Sequence, residues 1–306
     1  MNVTFRQLRV FVEIARQGGV GRAAERLHLT PPAVSQQLKA IERELDQVLF
    51  DRAGRRMALT AAGEHFFVHA RRLLAGLRDA EDAMERFGRL ESGQLTIAMV
   101  GAATYFLPQL LARFHADHPA VDVRLQLGGR DEIDEMLADG EVDLCVMGRP
   151  PRKVPIVSQP FAAHPHVLVV SPTHRLARAE HVPASALAVE PFIAREPGSG
   201  TRAALHEYLD RFRLQPHVTM EMASNEAIKQ AVMAGMGVSL VSRHIIALEC
   251  RCGLIAAPPV EGLPLARRWH VVHGASRQLS PAAEAFRDFI VEEGEAYLMS
   301  MIAEPP

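Results

Sequence analysis

The chain reads as a multidomain α+β protein: an N-terminal winged helix-turn-helix head, a long linker helix and a C-terminal two-lobed α/β body. Three observations predict it. Caps, a tight turn and a polar helix face occur in helix-turn-helix order over the first sixty residues. An unbroken apolar heptad follows. Beyond residue 93, apolar runs of strand length alternate with helical patterns. The expected segments are 1–60, 61–92 and 93–306.

In the head, Thr4 is placed to cap a helix whose Phe5, Leu8, Phe11, Val12 and Ala15 recur at three-to-four spacing, and Gly18-Gly19 stops it. A short helix follows from Arg22 to Leu27, and Leu27-His28-Leu29 makes a tight turn. Thr30 then caps a third helix with Pro31 and Pro32 in its first positions, where proline costs no hydrogen bond. That helix keeps Val34, Leu38, Ile41 and Leu45 on one face and presents Ser35, Gln36, Lys39 and Arg43 on the other. Short polar groups at a helix start suit base edges, and the neighbouring cations suit phosphates. Leu49-Phe50 and Met57-Ala58-Leu59 flank a basic hairpin tip, where Arg52, Arg55 and Arg56 would hold the DNA backbone. Gly19-x-Gly21-x-x-Ala24 imitates a dinucleotide fingerprint, but a helix precedes it where that motif needs a strand.

The linker helix starts at Thr60 and is expected to run to about Leu90 without proline. Phe66, Ala70, Leu73, Leu77, Ala80, Met84 and Phe87 form its seam, at alternating spacings of four and three. A stripe of this length favours pairing between two chains over packing on its own domain.

The body opens with Leu95–Val100 as a strand, Phe106–Phe114 as a helix, Val121–Leu127 as a strand, Glu132–Leu137 as a helix and Val142–Met147 as a buried strand. This βαβαβ pattern implies a parallel sheet. A second unit begins near His164, with strands at His166–Val170, Phe192–Ala194, Val218–Met222 and Val238–Val241 and helices at Arg202–Phe212 and Glu226–Ala234. Arg268–His273 is the last strand and Pro281–Leu298 the last helix. Ligands of such sheets sit at strand carboxyl ends and helix N-termini. The candidate effector-binding residues fall there: Gly101 and Thr104 after the first strand, Arg149 after the buried strand, Arg195, Ser199, Thr201 and Arg202 in a glycine-rich loop, and Asn225 at a helix start. Free backbone N–H groups, hydroxyls and guanidiniums together make a cradle for carboxylate or phosphate.

Composition narrows the function classes. With 48% hydrophobic and 23% charged residues, the 306-residue chain is neither disordered nor a small disulfide scaffold. Charges interrupt every apolar run, so no membrane span is expected, and the N-terminus lacks a signal-type apolar region. Cys145, Cys250 and Cys252 suit a reducing cytoplasm. The net charge of -2 hides a division: residues 1–60 carry ten basic and six acidic groups, net +4, whereas the chain beyond residue 92 nets -5. A basic head on an acidic body fits a nucleic-acid-binding module fused to a sensor. Cys250-x-Cys252 has no matched second pair and His164-x-His166 no third ligand, so no metal site is expected. Ser199 lacks the nucleophile-elbow spacing and any evident base, so no catalytic set emerges.

The stretch Arg22-Ala23-Ala24-Glu25-Arg26-Leu27-His28-Leu29-Thr30-Pro31-Pro32-Ala33-Val34-Ser35-Gln36-Gln37-Leu38, continuing through Ile41-Glu42, Leu49-Phe50-Asp51-Arg52 and Leu59-Thr60-Ala61-Ala62-Gly63, resembles the LysR-type transcriptional regulators. Met147-Gly148-Arg149-Pro150-Pro151, Ala162-Ala163-His164-Pro165-His166, the 195–202 loop and the 224–239 segment are most similar to CbbR-type regulators of carbon-fixation operons. The resemblance implies a periplasmic-binding-protein-like effector domain, with lobe I formed by 93–163 and 268–306 and lobe II by 164–267. It also implies a cytoplasmic homodimer or homotetramer on promoter DNA of CO2-fixation genes. The expected effector is a phosphorylated Calvin-cycle metabolite or NADPH, with no cofactor and no enzymatic activity. A regulator of another operon, a solute-binding protein and an enzyme on phosphorylated substrates stay open as alternatives.

Overall fold

The computed structural model describes residues 2–51, 57–85, 93–152 and 154–303, and the chain folds into two compact units, Met1–Met84 and Glu85–Pro306. In the first unit, α1 (Phe5–Gln17) begins with a full capping box: Gln7 N donates to Thr4 Oγ1 at 3.3 Å, and Thr4 N donates to Gln7 Oε1 at 2.8 Å. It ends at Gly18 in the left-handed conformation (φ 63°). Helix α2 (Val20–Arg26) starts two residues before the expected Arg22, and His28 (φ 53°) makes the turn into α3 (Pro31–Leu45). Thr30 occupies the N-cap of α3, but its side chain makes no capping bond. Strands β1 (Phe50–Asp51) and β2 (Ala58–Leu59) pair antiparallel, Phe50 opposite Leu59, as the base of the wing. Its expected tip, with Arg52, Arg55 and Arg56, lies outside the described residues.

The linker helix α4 (Ala61–Glu85) is held at its start by Thr60 Oγ1, which accepts from Gly63 N at 3.0 Å. Gly63 is required there, because a Cβ would stand 2.1 Å from the Leu49 carbonyl oxygen. The helix corrects part of the heptad reading. Ala70 is fully buried in the head's own core, and Phe66 packs on that core with its ring 5.0 Å from Phe11. Ala70 is therefore spent inside the chain, while Phe66 is only half-buried. Leu73 is exposed, Leu77 half-buried and Ala80 exposed. The side chain of Met84 and all of Phe87 lie outside the described residues.

The second unit is built on a five-stranded sheet ordered β4-β3-β5-β11-β6. Its members are β3 (Gly93–Met99), β4 (Val121–Leu127), β5 (Leu144–Met147), β6 (Ile156–Ala163) and, at the far end of the chain, β11 (Arg268–Gly274). Helices α5 (Leu107–Asp117) and α6 (Arg130–Ala138) connect the first three strands, which run parallel as the pattern requires. The fully parallel expectation fails at the other edge, where β11 runs antiparallel to both β5 and β6. Strand β6 has no counterpart in the sequence reading, because Ser158, Gln159 and Pro160 break its apolar run. Pro160 lies opposite His270 beside a register shift between Trp269 and His270, on an edge strand where proline is tolerated.

The rest of the unit carries β7 (His166–Val169), β8 (Phe192–Arg195), α7 (Gly200–Phe212), β9 (Val218–Met222), α8 (Asn225–Met233), β10 (Ser239–Ser242) and the short α9 (Ala247–Arg251). Strands β7 and β10 pair antiparallel and β8 and β9 parallel, with a bridge between Phe192 and Val238 joining the two ladders. The last helix, α10 (Pro281–Ile302), lies on the five-stranded sheet, and Phe286 stacks edge-on against Phe114 at 5.1 Å. One apolar core runs beneath that sheet and continues into β7, β8, α8 and β10, while a second fills the space among β8, α7 and β10.

Phe11 is fully buried, and its ring lies within 5.0–6.3 Å of Phe50, Phe66 and Phe67. Phe11→Ala is therefore expected to destabilise the N-terminal unit by about 3–5 kcal/mol. Differential scanning calorimetry should show one transition falling and the other holding; unchanged transitions would mean that the aromatic cluster contributes nothing.

Candidate functional site

The first candidate surface is the outward face of α3. The side chains of Thr30, Pro31, Pro32, Gln36, Lys39 and Arg43 are exposed, and Ser35 is half-buried at the same helix start. Val34, Leu38 and Ile41 are buried on the opposite face, and their packing fixes which side of α3 is left to solvent. Of the anticipated base-reading set, Thr30, Pro31, Pro32 and Gln36 are thus exposed at the start of α3, with Ser35 half-buried among them.

The second candidate is a cleft of about 290 Å³ in the C-terminal unit. It is lined by the β3 exit (Val100, Gly101), the β4–α6 loop (Gly128 to Glu132), the β5 exit (Gly148, Arg149), His164 and His166, the loop from Arg195 to Thr201, Asn225 and Arg267. Strand exits and helix starts converge here because parallel strands deliver their connections to one sheet edge. Ser199 caps α7, accepting from Arg202 N at 3.1 Å, so the positive end of a thirteen-residue helix opens on the cavity. Gly198 (φ 89°) lets the loop turn ahead of that cap.

Of the anticipated effector residues, Gly101, Arg149, Arg195, Ser199, Thr201 and Asn225 line this one cavity. Thr104 and Arg202 do not. Thr104 lies in a short 3-10 turn, Ala103–Tyr105, ahead of α5, and its hydroxyl donates back to the Gly101 carbonyl at 2.7 Å. Arg202 points along α7, where its guanidinium donates to the Arg195 carbonyl at 2.8 Å and pairs with Glu221. Its cation braces the loop from behind.

The guanidiniums that face the cavity differ in commitment. Arg195 is held by both oxygens of Glu196 at 2.6 Å and by Asn225 Oδ1 at 2.5 Å. Burial alone would raise the Glu196 carboxyl, but these hydrogen bonds outweigh it and hold it below the usual carboxylate range. Arg267 pairs with Glu207. Arg149 makes no ion pair among the described residues; desolvation and the guanidiniums of Arg130, Arg152 and Arg267 lower its pKa. Arg130, which lines the same cleft, likewise makes no ion pair among the described residues and donates to the Pro150 carbonyl at 3.3 Å. No group of three or more His, Cys, Asp or Glu side chains among the described residues is placed to hold a metal ion.

Sequence reasoning missed Gly128, Gly129, Arg130, His164, His166 and Arg267. A detectable signal existed for the first three, a Gly-Gly-Arg run at a strand exit. His164 and His166 come into the cavity only through pairing of their segment with residues 265–267, which no local pattern announces. They also belong to a cluster of neutral imidazoles. Burial and cationic neighbours push His164 well below the ordinary histidine value, His166 down to about 3 and His244 to about 4.

Residues 5–64 match the bacterial regulatory helix-turn-helix proteins of the lysR family, and residues 88–295 match the LysR substrate binding domain. The chain belongs to the LysR family of transcriptional regulators, not to a family of enzymes. Among its relatives, the HTH-type transcriptional regulator CfxR of Cupriavidus necator is 46% identical, covering 97% of this chain and 93% of that protein. The RuBisCO operon transcriptional regulator of Allochromatium vinosum is 40% identical over 96% of this chain and 97% of that protein. Of solved structures, the regulatory domain of CcmR from Synechocystis in complex with 2-PG is 35% identical, with a TM-score of 0.63, covering 66% of this chain and 97% of that one. Full-length CbnR complexed with its target DNA is 26% identical over 94% and 99% of the two chains, with a TM-score of 0.68. No helix among the described residues is long and apolar enough to cross a membrane.

Unfolded histidines protonate near pH 6.5. The folded His166 and His244 stay neutral to about 3 and 4, so below about 6.5 the unfolded chain binds more protons than the fold. Stability should therefore fall as the pH drops from 7 towards 4, by about 1.4 kcal/mol per pH unit for each such imidazole. Urea denaturation of the C-terminal unit at pH 7, 6 and 5 measures this, with a shallower slope for His244→Leu. A midpoint constant over that range would show that the cluster titrates as in water.

Proposed function

We propose that the chain is a promoter-binding regulator of CO2-fixation genes whose C-terminal unit senses a small anionic metabolite. The observation that carries the sensing role is the cleft itself, where a helix N-terminus and the unneutralised Arg149 face one cavity. Gly101, Arg195, Ser199, Thr201 and Asn225 complete the contact set, and Arg202 positions the loop. The names of CfxR and of the RuBisCO operon regulator support the carbon-fixation role, and the CcmR domain, which holds 2-PG, supports an anionic effector. The effector class is a phosphorylated metabolite or NADPH.

On the DNA side, Thr30, Pro31, Pro32, Ser35 and Gln36 read base edges from the start of α3, with Lys39, Arg52, Arg55 and Arg56 on phosphates. The chain acts in the cytoplasm as a dimer or tetramer. Since Ala70 serves the head's core, pairing uses the rest of the seam, Phe66, Leu73, Leu77, Ala80, Met84 and Phe87. An anion that closes the cleft changes the packing between effector units, which re-spaces the heads and alters DNA bending.

Gel-shift titrations over a range of salt test the DNA assignment. Lys39→Ala should weaken specific and random DNA alike and flatten the salt slope by about 0.9 for the phosphate lost, whereas Gln36→Ala should cost about 1–3 kcal/mol on the specific site only. Equal losses on both DNAs in both variants would refute the base-reading role. For the cleft, calorimetric titration with phosphorylated sugars, NADPH and dicarboxylates should give binding by at least one anion, weakened about tenfold or more in Arg149→Ala. Silence across the panel would defeat the sensing reading.

A further inference from the structure

His164 stands where the chain passes from β6 to β7. It is only 5% exposed, yet it lines the cleft. Its ring is held on one face and one edge. Trp269 stacks on it with centroids 3.8 Å apart and planes 17° from parallel. Gly148 closes on the opposite edge, so tightly that a Cβ there would lie 2.5 Å from His164 Nδ1. The backbone is pinned by His164 N donating to the Arg267 carbonyl at 2.7 Å.

Neither ring nitrogen of this held imidazole has a hydrogen-bond partner among the described residues. The neighbouring buried histidines differ: His166 Nδ1 meets the His164 carbonyl at 3.2 Å, and His244 Nδ1 accepts from Trp269 Nε1 at 3.4 Å. Buried polar atoms are almost always paired, and leaving them unpaired lowers stability. An unpaired imidazole clamped against a cleft is what a residue reserved for a ligand looks like.

The charged and titratable groups around it are His166 on β7, His244 after β10, His270 on β11, Arg267 just ahead of β11 and Arg149 at the β5 exit. None of these is an anion, although Arg130 and the carboxylates of Asp131, Glu132 and Glu196 also line the cleft. Burial and these neighbours keep the ring neutral, and a neutral imidazole carries one N–H donor.

We propose that His164 is a ligand-binding residue of the cleft, its neutral imidazole donating a hydrogen bond to a phosphate or carboxylate oxygen of the bound anion. This rests on the reading of the cleft as an anion site. Arg149 and the start of α7 supply the electrostatic attraction, while His164 fixes where one oxygen must sit.

The test is calorimetric titration of the full chain at pH 8 with 2-phosphoglycolate and, separately, NADPH, for the wild type, His164→Phe and His164→Gln. Phenylalanine keeps the stack on Trp269 and removes the donor, while glutamine restores a donor. For whichever probe the wild type binds, His164→Phe should weaken binding about tenfold or more, and His164→Gln should return to within about threefold of wild type. Without ligand, His164→Phe should melt within a few degrees of wild type, because the removal of two unpaired buried nitrogens offsets the cost of a larger ring against Gly148. A purely structural histidine gives a different pattern, with melting temperatures falling in both variants and affinities falling equally. That result, or undiminished binding by His164→Phe, overturns the proposal alone. A wild-type chain that binds neither probe overturns the anion cleft and this assignment together. Should His164→Phe fail to fold, the His164→Gln titration and the imidazole 15N shifts of His164 on adding the probe decide: shifts unmoved by a bound probe overturn it. At pH 8 a phosphate monoester is already dianionic. The binding enthalpy should then be equal in HEPES and Tris, and a buffer-dependent enthalpy, signalling proton uptake, would overturn the neutral-donor assignment.

Discussion

The C-terminal unit depends on one short piece of backbone pairing. The chain passes out of the five-stranded sheet after β6 and returns to it at β11, and these two passages run side by side. Ala163 lies opposite Arg268 and Ala162 opposite Trp269 in the sheet. Beyond it the pairing goes on, with His164 N donating to the Arg267 carbonyl at 2.7 Å and His166 and Leu265 exchanging bonds at 3.3 and 3.0 Å. A doubled strand is stiff along its length and can still twist, which suits a hinge under a cleft. It also determines what the cleft contains. Two segments a hundred residues apart in sequence place His164, His166 and Arg267 on the same wall only because this ladder sets their register.

The loops facing that wall are rigid for a separate reason. Arg195 is clamped by Glu196 and Asn225, and Arg202 holds the Arg195 carbonyl from behind, so the loop from 195 to 200 is braced before any ligand arrives. Bracing of this kind lowers the ordering cost of binding. It also explains why a glycine-rich loop with two arginines offers less free positive charge than its composition suggests. One guanidinium is neutralised beside the cavity and the other lies outside it, and the open charge falls to Arg149 and Arg130.

Local signals made the head legible. Thr4 and Thr60 cap where expected, the Pro31-Pro32 start fits α3, and Gly18 ends α1, because each feature depends on residues within a few positions of one another. The parallel half of the sheet was legible for the same reason, since apolar strand, helix and strand follow in order. What stayed hidden was set by distant partners. Strand β6 carries Ser158, Gln159 and Pro160 in its middle, and it is a strand only because β11 pairs with it. Phe66 and Ala70 obey a heptad as well as they obey a core face, and only the position of Phe11 decides between them. The cleft was half legible: strand exits and the helix cap could be read, whereas the histidine wall could not.

The buried imidazoles connect stability to sensing. The imidazole of His164 stacks on Trp269 with two unpaired buried nitrogens, and such unpaired atoms lower the stability of a fold. Functional sites are where such local losses persist. A protein that must respond to a ligand gains from this, because a partner arriving at the unpaired group stabilises the bound state specifically and not both states alike. Only that differential term can shift an equilibrium between open and closed arrangements. Arg149 adds attraction at the mouth of the cleft, and the clamped Arg195 adds shape. The unpaired histidine beside the two interlobe passages is the group whose satisfaction would be felt directly by the backbone that links the lobes.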